Sequence, residues 1–401
     1  MKKQQLSHWF RALGPGIITA ALVFGPSKMT VATKLGAEYG YDLLWVVVTA
    51  IFFMMVYTAM SARIGLASEM SILDLIRQKW GRPAGVLIGI GVFLVAACFQ
   101  AGNSIGAGIA LEELTNTPRI PWILFFNLAG LVLLFFRSFY RVLEKVMLGL
   151  ILMMLLAFVI TAFTTRPALG EVFSGLEPSI PAGSWQLVTA LTASCFALVA
   201  AFYQAYLIQE RKRQEPEGTV TDRSFPGLLI LGIMTALVMI CAASVMHPQG
   251  LQVTNASDMG RALEPLFGHN ASVFFLIGLF GASFSSLIGN STLGGTIFSD
   301  ALGHGSRLDS RPVRWLIALI MATGAGVAIV FGNLPIQLIV IAQSITIFII
   351  PLIGLALFLL ANDRSIMGSR VNGRVTNVAG VLGLVLVAAL AVHSFNLLFL
   401  K

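Results

Sequence analysis

Eleven stretches of this chain are apolar for long enough to be stranded in lipid, and a stranded stretch must satisfy its own backbone. They lie at about 12–33, 42–65, 83–110, 121–136, 143–165, 184–209, 225–246, 267–299, 312–331, 334–361 and 374–400. Barrel strands need only ~9–11 residues and alternate in polarity, whereas these segments are longer and continuously apolar. They are therefore predicted to be helices. Several exceed the ~20 residues of a minimal span, which implies tilt or extension beyond the bilayer. A composition of 57% hydrophobic and 11% charged residues fits an all-α polytopic membrane protein. The longest loops, about 166–183 and 247–266, are too short for a soluble domain, so residues 1–401 are expected to form one transmembrane domain. Met1 to Arg11 is polar and leads straight into the first segment, which is not the pattern of a cleavable signal peptide.

A net charge of +8 invites a nucleic-acid partner, but its distribution excludes one. With the N-terminus inside, 20 of the 26 Lys and Arg residues fall in cytoplasmic segments and five outside. The five are Lys34, Arg119, Arg166, Arg261 and Lys401. This is the positive-inside bias. It predicts a multi-pass protein of a bacterial cytoplasmic (inner) membrane, with a cytoplasmic N-terminus and an outside C-terminus. The basic run Arg211-Lys212-Arg213 reads as a solvated loop after segment 6. Asn255-Ala256-Ser257 matches a glycosylation sequon, without meaning in a bacterial chain. Cys98, Cys195 and Cys241 are dispersed in apolar segments, forming neither a metal pattern nor a disulfide framework. Packing accounts for them, although Cys195 lies near a candidate pathway.

The remaining cation, Lys28, sits about halfway across segment 1, in Phe24-Gly25-Pro26-Ser27-Lys28-Met29. An ammonium at that depth costs several kcal/mol unless it is compensated, so intramembrane charges mark function by default. All 18 Asp and Glu residues fall in loops or at segment ends. Compensation must then come from deprotonation, from backbone carbonyls and water, or from an anionic substrate. Its mid-span depth argues against snorkelling to an interface.

Segment 1 is interrupted at Gly25-Pro26, where proline removes a donor and glycine relaxes the backbone. Segment 6 mixes small and polar residues mid-span from Ser194 to Gln204 without a proline. Interruptions five segments apart predict two inverted repeats, 12–165 and 184–361, with the substrate between them and 374–400 as an added helix.

Leu13-Gly14-Pro15-Gly16-Ile17-Ile18-Thr19-Ala20 and Gly36-Ala37-Glu38-Tyr39-Gly40-Tyr41-Asp42 resemble the start of the Nramp (natural resistance-associated macrophage protein) divalent-metal transporters. Ser285-Ser286-Leu287-Ile288-Gly289-Asn290-Ser291-Thr292-Leu293-Gly294-Gly295 is similar to a worn form of that family's transport signature. Asp363-Arg364-Ser365-Ile366-Met367-Gly368 is similar to the segment ending its helix 10. The resemblance covers essentially the whole chain. It implies the LeuT-type fold, alternating access and a functional monomer.

The departures from the family pattern concentrate at one place. The family carries Asp-Pro-Gly-Asn at the first break, with the aspartate and asparagine ligating metal; here the positions read Gly25-Pro26-Ser27-Lys28. Its Met-Pro-His in helix 6 matches Ala200-Ala201-Phe202, and its helix 3 acids match Gln100 and Asn103, which do not titrate. Gln343 matches a retained helix 10 glutamine near the family's metal site. A divalent ion within a few Å of an ammonium is repelled by several kcal/mol, even at an effective dielectric of about 20. Transition metals also want N, O or S ligands that these positions do not offer. No metal site and no cofactor is expected.

Three uses of Lys28 remain open: a plugged relic, a tethered cation in a proton-coupled amino-acid or small-solute transporter, and a small-anion site. The anion site is favoured. Broken helices aim half-helix N-termini at the midplane. Gly25, Pro26, Ser27, Lys28, Ala200, Ala201, Phe202, Tyr203 and Gln343 are the candidate substrate-binding residues. Gln100, Asn103, Gln204, Ser285, Ser286 and Thr292 are candidates for the pathway or coupling. One lysine suits a singly charged planar anion better than a phosphate, with bicarbonate the leading candidate and nitrate, formate and acetate alongside. Coupling to Na+ or H+ stays open, as does the alternative of Mn or Mg transport. Enzymatic chemistry finds no support: the five histidines are scattered, and no paired-carboxylate site or nucleotide loop is present.

Overall fold

The computed structural model describes residues 24–134, 137–214, 220–222 and 224–399. Residues 12–23, the first half of segment 1, and the motif Leu13 to Ala20 lie outside them. Among the described residues, eight helical stretches are long and apolar enough to cross a membrane, with shorter apolar helices at Arg119–Leu133 and Gly149–Thr165. Together with Pro26–Tyr39, these account for all eleven predicted segments.

We label the principal helices α1 (Pro26–Tyr39), α2 (Leu44–Ala67), α3 (Ile72–Thr115), α4 (Arg119–Leu133), α5 (Arg137–Thr165), α6 (Trp185–Cys195) and α7 (Leu198–Gln214). The second half continues with α8 (Phe225–Val245), α9 (Ala271–Ala301), α10 (Arg311–Val330), α11 (Pro335–Thr346), α12 (Ile350–Ala361) and α13 (Arg374–Phe399). Segment 6 thus splits into α6 and α7, as expected. Segment 10 also splits, into α11 and α12, where one helix over 334–361 was predicted. The reason is Pro351 at the start of α12, which cannot donate to the preceding turn. Segment 3 is longer than the predicted 83–110. Gly81, at φ 83°, joins a short amphipathic helix to the span through a conformation that only glycine adopts cheaply. The two long loops carry short helices; Asn255 of the sequon caps one of them, with its side chain and Asp258 forming a reciprocal capping box.

The packing exchanges under a shift of five segments. α1 lies against α8 as α7 lies against α2, α3 against α11 as α9 against α5, and α3 and α9 pack on each other. Close approach in the first two pairs depends on glycine. A Cβ on Gly36 would stand 2.3 Å from the Met239 carbonyl oxygen, and one on Gly65 would stand 2.7 Å from that of Ala205. Small residues replace the hydrophobic driving force that lipid removes. Leu, Val and Phe side chains of α4, α5 and α13 stay exposed, among them Phe125, Phe163 and Val385, as a lipid-facing rim requires.

Candidate functional site: a cavity at two broken helices

Gly25 caps α1 with extended backbone and Pro26 occupies its first turn, so the first N–H groups of α1 have no preceding turn to bond. The start of α1 abuts α3 closely. A Cβ on Gly106 would stand 2.7 Å from Pro26 Cβ, and one on Gly102 would stand 3.0 Å from Ser27 Oγ. The break in segment 6 falls at Phe196. There φ −85° and ψ 57° form a tight turn, in which the Leu198 amide donates to the Phe196 carbonyl at 2.9 Å. The Phe196 ring is seated against Tyr57 and Phe53 of α2, with centroids 5.3 and 5.9 Å away. No proline is needed because the ring anchors the turn.

Between these breaks lies a cavity of about 290 Å³. Gly25, Ser27, Lys28, Asn103, Ala200, Tyr203, Gln204, Ser286 and Thr292 line it, as does Asn290. The cavity follows α7 from Leu198 to Leu207. Lys28 is 1% exposed, and its Nζ stands 5.9 Å from the centre of the Phe99 ring, within cation–π range. It lies in the first turn of α1, where the helix dipole disfavours a cation and favours an anion. α7 also begins at the cavity and α6 ends beside it, with Leu198 and Ala193 in the lining, so two partial positive charges, one partial negative charge and a lysine meet there.

Around the ammonium, Ser27 Oγ and Asn103 Nδ2 are buried with no protein hydrogen-bond partner among the described residues. Gln204 Nε2 donates to Asp222 Oδ1 at 3.1 Å, tying α7 to the loop that follows it. Asn290 Nδ2 donates to the Ala96 carbonyl at 2.8 Å and to Gln100 Oε1 at 3.2 Å, linking α9 to α3.

Other predicted site residues stand outside the lining. Pro26 packs into the notch at Gly106. Ala201 and Phe202 are wholly buried on the far side of α7, where the Phe202 carbonyl accepts from Ser61 Oγ at 3.1 Å. Gln100 Oε1 accepts from Asn290, while its Nε2 is buried with no protein partner among the described residues. Gln343 is buried behind Gly102, with neither amide atom bonded to protein among the described residues. Ser285 and Cys195 are also absent from the lining.

The rest of the wall is apolar: Val95, Phe99, Leu198, Leu207, Leu293 and Ile350. In sequence these resemble lipid-facing residues, and only Ile350, beside Pro351, carried a signal in the form of the second proline break. Among the described residues, the lining contains no Asp, Glu, His, Cys or Met. No group of three metal-ligating side chains occurs among the described residues.

A second polar centre lies at the end of α9. Asp300, placed by sequence at a segment end, is buried there at 3% exposure. It accepts from Tyr206 Oη of α7 at 2.6 Å. Its main-chain oxygen accepts from Arg77 Nη1 at 2.5 Å, and Arg77 also pairs with Asp74.

Comparison with known proteins matches residues 16–396 to the model of the family described as "Natural resistance-associated macrophage protein-like". A divalent metal cation transporter MntH of Deinococcus radiodurans is 28% identical over 396 residues, covering 94% of this chain and 88% of the relative. Among solved structures, an Eremococcus coleocola manganese transporter has a TM-score of 0.78 at 21% identity, covering 97% of this chain and 87% of that one. MhsT, crystallised with L-phenylalanine, has a TM-score of 0.61 at 13% identity, covering 94% and 98%. The fold is the LeuT type, with helices 1 and 6 interrupted.

Proposed function

This chain is a member of the Nramp family of transporters, and from that premise we propose that it moves a small monovalent anion held at Lys28. Alternating access of one transmembrane domain carries the cargo, with repeats 12–165 and 184–361 and the added helix 374–400. The reading is supported by the cavity itself: a lysine near the N-termini of α1 and α7, in a lining that has no carboxylate, imidazole or sulfur ligand among the described residues. The candidate binding residues are Ser27, Lys28, Asn103, Tyr203 and Gln204, with Gly25 and Ala200 leaving the room. The charge bias supports a bacterial cytoplasmic membrane with the N-terminus inside.

The second reading is divalent-cation transport. The names of the relatives given above favour it directly, and none of those names mentions an anion. Against it stands the electrostatics: a +2 ion ~6 Å from a charged Lys28 is repelled by about 5 kcal/mol at an effective dielectric of 20.

Proteoliposomes carrying the protein decide between them. Uptake of labelled bicarbonate and of manganese is measured with sodium or proton gradients imposed separately. Anion flux that Lys28→Gln abolishes supports the proposal. Manganese uptake that survives Lys28→Ala, with no anion flux, transfers the function to the second reading.

A further inference from the structure

Resting on the anion reading, we infer that the cargo is an organic monocarboxylate with an apolar body of several carbons, rather than a compact inorganic anion. The cavity joins a few polar groups to a wall that is mostly apolar. Lys28, Ser27 and Asn103 line it where α1 begins, with Phe99 beside the lysine; Tyr203, Gln204, Ser286, Asn290 and Thr292 are its other polar residues, and Val95, Leu198, Leu293 and Ile350 belong to its apolar wall. Ser27 Oγ and Asn103 Nδ2 are buried donors with no protein acceptor among the described residues, and a carboxylate bound beside Lys28 would accept from both.

Size decides against bicarbonate. A cavity of about 290 Å³ has far more room than a four-atom anion fills. Most of the wall would then face water against apolar side chains. A body of several carbons removes that contact, and each buried CH2 is worth ~0.8 kcal/mol, about fourfold in affinity.

Charge limits the class further. Among the described residues Lys28 is the single cation in the lining, so a second carboxylate on the ligand would meet no opposite charge there. The lining also has no Asp or Glu to receive an α-ammonium, and Lys28 would repel one. Simple monocarboxylates satisfy both limits; dicarboxylates and zwitterionic amino acids do not.

The test is calorimetric binding to the full chain in detergent at pH 8, where the acids are ionised. The ligands are straight-chain carboxylates from acetate to hexanoate, the primary amides of the same lengths, bicarbonate and manganese. The expected result is a Kd that falls about fourfold per added CH2 from acetate to pentanoate, lost in Lys28→Gln, with the amides silent. Leu293→Phe, which narrows the cavity at its apolar wall, shifts the best ligand to a shorter acid. An affinity that is flat with chain length, or equalled by the amides, overturns the inference. Bicarbonate binding as tightly as pentanoate, in a Lys28-dependent way, also overturns it while leaving the anion reading standing. If manganese binds and no anion does, both fall. The wild-type series decides the matter even if a variant does not fold.

Discussion

Removing the Tyr206 hydroxyl should loosen α7 from its neighbours without unfolding the protein. Tyr206 donates to Asp300 Oδ2 at 2.6 Å, and both groups are buried, at 7% and 3% exposure. In Tyr206→Phe the carboxylate keeps Arg77, whose Nη2 lies 3.6 Å from Oδ1, but loses its short neutral donor. A hydrogen bond to a charged group is worth about 1.5–3 kcal/mol, or roughly 10- to 150-fold in a local opening equilibrium. Hydrogen–deuterium exchange in lipid nanodiscs reads that factor directly. Amides of α7 beyond Tyr203 should exchange faster by that amount, while those of α13, which does not touch the Asp300 centre, keep their rates. Asp300→Asn should have a smaller effect, because the amide oxygen still accepts from Tyr206. Unchanged exchange in α7, or the same acceleration in α13, would refute the assignment of this bond as a local clasp.

Other expectations follow from single contacts. Gly36→Ala and Gly65→Ala each push a Cβ into a facing backbone oxygen, so each should cost about 1–3 kcal/mol in unfolding assays; Gly326→Ala, with open space around it, should not. Asn255→Ala removes the capping box and should cost about 0.5–2 kcal/mol, seen as faster exchange of the adjoining loop helix. The Lys79 ammonium and the Ser365 hydroxyl and amide hold the Asp363 carboxyl down at about 2, below its ordinary 3.8. A depressed carboxyl stabilises the fold above its unfolded value and loses that contribution as pH falls through the folded one. Acid titration should therefore show a stability loss between about pH 4 and 2 that is absent in Asp363→Asn.

The breaks at Gly25-Pro26 and in segment 6 were legible because proline, or a run of small polar residues, contradicts a lipid-spanning helix. Lys28 was legible because a charge at mid-depth has no bland explanation. The apolar wall was not. Val95, Leu198 and Leu293 have the same chemistry as side chains that face lipid, and helices that are apolar all round carry no stripe to mark their inner face. The same ambiguity put Ala201 and Phe202 among the candidates, although they lie one and two residues beyond Ala200, on the other side of α7. Asp300 looked like an interfacial acid; its burial follows from Tyr206 and Arg77, which are 94 and 223 residues away in sequence.

The break between α11 and α12 has no counterpart five segments earlier, where α5 runs unbroken from Arg137 to Thr165. One half here has a joint at 347–349, beside the wall residue Ile350, and the other has a rod. A joint in one wall and a rod in the other let the two ends of the cavity yield by different amounts. Such a difference alters how readily each side loads the site, while the direction of net flux is set by the cargo gradients alone.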